Sequence, residues 1–165
     1  MIDFEGENAI YVVDFTSNQG LPVVGHAILY LQDEEGNWYK SEFTGVFPDK
    51  STAKISTRSV SEDDIQVFIE NSTASAFYIP GDFSSSYELA KKYDGSDYGG
   101  YHLLNNNCLH YVKELLQAGE PEDLAYGLAF WSNSYIPVDF YQKLKHIGRT
   151  KNAKEKWQVY FGQEV

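Results

Sequence analysis

A single cysteine is present in the 165-residue chain, in the segment NNNCLHYV at 105–112. Cys108 stands four residues before Val112 and seven before Leu115, on the helix side that an apolar stripe marks as buried. Cysteine is among the most buried residue types, so a small hydrophobe packed in a core accounts for it. Its axial position argues for chemistry instead. In the first turn of a helix, free backbone N–H groups and the positive end of the helix dipole favour a thiolate. The same N–H groups can hold an oxyanion beside the sulfur. A thiolate so placed attacks carbonyl carbon, provided that an imidazole takes the thiol proton.

The chain has four histidines from which that base must come. His110 lies two residues along the helix and points away from Cys108, as a surface or flanking residue. His102 precedes the helix in a loop, where contact with the thiol is sterically awkward. His146 falls in a Lys- and His-containing last turn, where it complements a helix C-terminus. His26 differs, because VVGHAILYL sets a titratable ring at the start of an apolar strand. Such a ring is commonly a satisfied core residue; a thiol at a helix tip gives it a second explanation. No two histidines share a spacing suited to metal ligation, and one cysteine excludes a Cys-rich zinc cage. No cofactor is expected.

The elements that must bring these side chains together are legible in the patterning. Strands are predicted over 8–16, 25–32, 38–47 and 53–60, separated by SNQGLP, DEEGN and PDKS. SEDD at 61–64 is a capped helix start before IQVFIEN. ASAFYIPG reads as a further strand. Helices are then predicted over 84–95 and 107–119, the second capped by Asn106 or Asn107, with Leu109, Val112, Leu115 and Leu116 as its stripe and Gly119 just beyond its end. PEDLAYGLAF and PVDFYQKLKHIG each place Pro at a first helical position. WQVYF (157–161) is strand-like. The expectation is one α+β domain over 1–165, an antiparallel sheet with helices on one side.

Composition narrows the function. Acidic residues number 24 against 13 basic ones, a formal charge of -11, which disfavours nucleic acid and anionic lipid as partners. Apolar content of 42% and charged content of 22% fit a globular domain. No run is long and apolar enough for a membrane span. MIDFEGENAI lacks the basic and apolar regions of a Sec signal, so synthesis as a cytoplasmic protein is expected, with export lacking a cleavable signal left open.

HAILY in a strand, followed much later by NNCLHYV at a helix start, resembles the circularly permuted branch of the NlpC/P60 papain-like superfamily, in which the strand histidine precedes the helical cysteine. The resemblance covers about residues 20–118. It implies a papain-like α+β fold with the nucleophile at a helix N-terminus, Cys108 as that nucleophile and His26 as its base. It also implies a third polar residue on the next strand, WYKSEF. That strand holds no His, Asn or Gln; Ser41 and Glu42 are the candidates, on opposite faces. Ser41 shares the more apolar face with Tyr39 and Phe43 and is expected to point inward, whereas Glu42 would orient an imidazolium more strongly. The implied activity is cysteine-dependent amide hydrolysis through an acyl-enzyme, on peptide or peptidoglycan-like substrates, with an inhibitor protein as a further partner. Two rivals stand beside it: an acyltransferase or thioesterase on lipid or acyl substrates, and a non-catalytic binding or immunity-type module that keeps the fold. The 13 tyrosines suit an aromatic cleft or ordinary strand packing equally.

Overall fold

β-Branched and aromatic runs form the strands of one five-stranded antiparallel sheet. The computed structural model describes residues 9–15, 25–45 and 52–147. Strands β1 (Ala9–Asp14), β2 (His26–Gln32), β3 (Trp38–Thr44), β4 (Lys54–Val60) and β5 (Ala74–Ile79) lie in the order β4-β3-β2-β1-β5. Every neighbouring pair is antiparallel. A separate two-stranded ribbon joins β6 (Gly81–Asp82) to β7 (Glu120–Pro121). The helices are α1 (Glu62–Asn71), α2 (Ser84–Tyr93), α3 (Cys108–Gln117), α4 (Leu124–Phe130) and α5 (Pro137–Ile147). This is an α+β architecture. The strand expected over WQVYF lies outside the described residues.

Helices cover both faces of the sheet, not one. On the first face Tyr11, Leu29, Phe43 and Phe77 pack with Val112 and Leu115 of α3, Phe130 of α4 and Phe140 of α5. On the second, Ile10, Val12, Ile28 and Tyr30 meet Ile65 and Ile69 of α1. The cause is in the strands themselves. β1 and the first six residues of β2 are buried at every position, so neither alternates as a one-sided strand would. Ile65 and Ile69 are fully buried, each stabilising by about 1.5–3 kcal/mol over an exposed side chain.

Local signals set most element ends. Ser61 caps α1: its hydroxyl accepts from Asp64 N–H at 3.0 Å, and the Asp64 carboxylate accepts from Ser61 N–H at 2.9 Å. Pro137 opens α5 as expected. Pro121 opens no helix, because it pairs with Gly81 in the small ribbon, and α4 begins at Leu124 behind an Asp123 cap. The aspartate accepts from Ala125 N–H at 2.9 Å, a stronger start signal than the proline.

Candidate active site

Three elements converge on the cysteine. Asn107 has extended backbone (φ -108°, ψ -173°) and caps α3, its Oδ1 accepting from Leu109 N–H at 2.9 Å and His110 N–H at 3.2 Å. Its Nδ2 donates to the Leu103 carbonyl at 2.7 Å and the Tyr135 carbonyl at 2.8 Å. One side chain therefore starts the helix and ties two loops to that start. Cys108 is the first helical residue, and only 2% of it is exposed. The N–H of such a residue has no acceptor within its own helix. His110 completes the cap rather than lying free: its Nδ1 accepts from Asn107 N–H at 3.1 Å. It stays apart from the thiol. His102 pairs with Asn106 as an isolated bridge, and His146 sits in the last turn of α5.

His26 opens β2 and is 1% exposed. The residue before it, Gly25, has φ +73°, and a Cβ there would lie 2.4 Å from Val13 Cγ1. Only glycine turns the chain this tightly into the strand. The next residue, Ala27, donates its N–H to the Cys108 sulfur at 3.4 Å, a bond that joins β2 to the tip of α3. His26 Nε2 bonds to Glu42 Oε1 at 2.8 Å. Its Nδ1 is sealed from solvent and forms no hydrogen bond of ordinary geometry. The thiol is the other polar group acting on the ring.

Glu42, not Ser41, meets the imidazole. Gln32 pairs with Trp38 across the β2–β3 turn, so even-numbered residues of the two strands share a face. Ser41 is fully buried on the opposite face, where its hydroxyl bonds to Tyr111 Oη at 2.6 Å and Thr57 Oγ1 at 2.8 Å. The inward position expected of Ser41 is real, but it leads to α3 packing and away from His26. Both faces are interior because α1 covers the second one.

Charges in this trio stabilise one another. Burial alone would push the His26 ring down; the nearby thiol of Cys108 and the hydrogen-bonded carboxylate of Glu42 outweigh it and raise the ring to about 9. Burial likewise pushes the Cys108 thiol up, but His26, the Ala27 N–H and the Tyr101 hydroxyl bring it below the usual thiol value. Burial opposes ionisation of Glu42, and His26, Lys40 and Arg58 overcome it, leaving the carboxyl below its ordinary value. These directions, with the Ala27 N–H on the sulfur and Glu42 on the ring, favour a thiolate–imidazolium pair with a carboxylate behind it.

Sequence reasoning missed three neighbours. Tyr101, in the loop before α3, bonds to the thiol; burial and then the charge of Cys108 hold its phenol well above the ordinary value. Asp14 stands opposite His26 on β1 and is 5% exposed. Lys40 is 8% exposed on the face of Glu42. The WYKSEF alternation could have found Lys40, since it shares parity with Glu42. Among the described residues, no group of three His, Cys, Asp or Glu side chains is arranged to hold a metal, and no helix is long and apolar enough to cross a membrane. Compared with known proteins, the chain matches no family model, no curated protein and no solved structure.

Proposed function

We propose that this protein is a cysteine-dependent amide hydrolase of papain-like type, related to the permuted NlpC/P60 branch. The supporting observation is the buried His26–Glu42 bond on β2 and β3, with the Cys108 sulfur at the tip of α3 held by the N–H of Ala27, the residue next to His26. In this reading the Cys108 thiolate attacks the amide carbonyl, and the Cys108 N–H at the helix tip helps to hold the oxyanion. The His26 imidazolium gives its proton to the leaving amine, forming an acyl-enzyme. The neutral ring then takes a proton from the water that resolves it. Glu42 fixes the ring orientation and favours its cationic form. Peptide amides, including those of cell-wall peptides, are the substrate class that the resemblance suggests.

The 2% and 1% exposure of Cys108 and His26 favours a second reading, a binding module that retains the trio without turnover. One experiment separates the two. In the hydrolase reading, wild-type protein is labelled at Cys108 by an electrophilic peptide probe and cleaves peptide amides, while Cys108→Ala does neither. Turnover retained in Cys108→Ala ends the proposal; a folded wild-type thiol that stays inert until denaturation supports the binding module.

A further inference from the structure

Lys40 is an expensive residue where it stands. It lies on β3, directly opposite Arg58 of the edge strand β4, a like-charge cross-strand pair that is destabilising by itself. It is 8% exposed on the face covered by α1. A buried ammonium needs compensation, and two groups provide it. Phe68 of α1 presents its ring 4.1 Å from Lys40 Nζ, with Tyr30 of β2 at 6.0 Å. Glu42 Oε2 lies 3.7 Å away. The two oxygens of Glu42 are thus divided, Oε1 to His26 at 2.8 Å and Oε2 to Lys40.

We infer that Lys40 is a positioning residue of this site, gripping the outer oxygen of Glu42 so that the inner one faces His26. The inference rests on the hydrolase reading and adds to it a group that touches neither thiol nor substrate. Thiolate, imidazolium and carboxylate together carry one net negative charge in a buried space. The ammonium makes the row of four neutral, alternating in sign from Cys108 to Lys40. A neutral row separates charge at lower cost in a low-dielectric surrounding than an anionic one does. α1 enters the site through this contact, since Phe68 covers the ammonium from the side away from β3.

Other charged and titratable groups face the same row. Arg58 of β4, Asp14 of β1, Asp64 of α1, Tyr30 of β2 and Tyr78 of β5 belong to the Lys40 side. Tyr101 before α3, Tyr11 of β1 and Asp139 of α5 belong to the thiol side. None of these is altered by replacing Lys40, so the variants report the loss of one positive charge. Removing it makes every nearby acid harder to ionise.

The test measures the rate of Cys108 alkylation by iodoacetamide against pH in wild type, Lys40→Met and Lys40→Arg. Circular dichroism and thermal melting confirm folding. In Lys40→Met the acidic limb and the alkaline limb both move up by roughly one pH unit, and alkylation near the acidic limb slows roughly tenfold. Lys40→Arg keeps the charge and restores the wild-type profile. A purely structural lysine lowers the melting temperature without moving the limbs, and that result overturns the inference. If Lys40→Met does not fold, Lys40→Arg decides alone through peptide-amide turnover: kcat within a few fold of wild type supports the charge role, and loss of kcat in a folded Lys40→Arg overturns it. An inert thiol in folded wild type refutes the hydrolase reading instead, a failure distinguishable from unmoved limbs around a reactive thiol.

Discussion

Alkylation of Cys108 at low pH tests the ion pair most directly. An ordinary thiol with a pKa near 8.5 is only about 0.3% thiolate at pH 6 and about 24% at pH 8, so its reactivity climbs about seventyfold over that interval. A thiolate–imidazolium pair behaves otherwise. The ring is raised to about 9, so at pH 7 about 99% of molecules carry imidazolium. The thiol lies below its ordinary value, with the Ala27 N–H donating to the sulfur at 3.4 Å. In the hydrolase reading, in which that ring ionises the thiol, the thiolate fraction is nearly constant between pH 6 and 8. A lower thiol pKa also reduces intrinsic nucleophilicity, by roughly threefold per unit, but this factor is the same across the interval. Burial slows every rate alike and cancels in the ratio. Iodoacetamide alkylation, followed by mass spectrometry of intact protein at pH 6, 7 and 8, is expected to vary by less than about threefold. A seventyfold climb would falsify the ion pair and return Cys108 to the status of a packed thiol.

Two further outcomes concern the scaffold. Ser41→Ala removes a hydroxyl bonded to both Tyr111 Oη and Thr57 Oγ1, and is expected to cost about 1–3 kcal/mol in urea unfolding while leaving the Cys108 alkylation profile unchanged; a profile that shifts to that of an ordinary thiol would give Ser41 a role in the trio. Gly119→Ala brings a Cβ to 2.3 Å from Phe83 Cδ1 and 2.8 Å from Ser86 Oγ, and overpacking of this kind costs about 1–3 kcal/mol, read as a lower denaturation midpoint. A midpoint equal to that of wild type would show that Phe83 moves aside freely.

Element types were readable because local chemistry decides them. Ser61, Asn107 and Pro137 mark helix starts by the hydrogen bonds they make or cannot make. Asp123 outweighed Pro121 for the same reason. The layering was less readable. IYVV in β1 and AILYL in β2 have no polar face, and a strand without one is sandwiched, yet a short apolar run does not name what covers its second side. That omission carried into the site. With only one face taken as interior, Ser41 was the expected inward residue; with α1 on the other face, Glu42 is inward too and shares parity with His26. Cys108 and His26 were visible by type and position. Tyr101 was hidden in a loop whose course depends on tertiary contacts, including Asn106 Nδ2 to the Tyr98 and Gly100 carbonyls at 2.7 and 2.8 Å.

The bond from Ala27 to Cys108 spans 81 positions of sequence, and the one from Tyr11 Oη to the Pro137 carbonyl spans 126. At translation speeds of about 5–20 residues per second, the thiol is made roughly 4–16 s after the ring it must meet. Until the strand and the helix dock, an emerging polypeptide carries an ordinary sulfhydryl with nothing to ionise it. Whatever reactivity the thiol has is therefore a property of the finished molecule, set by contacts between residues far apart in the chain.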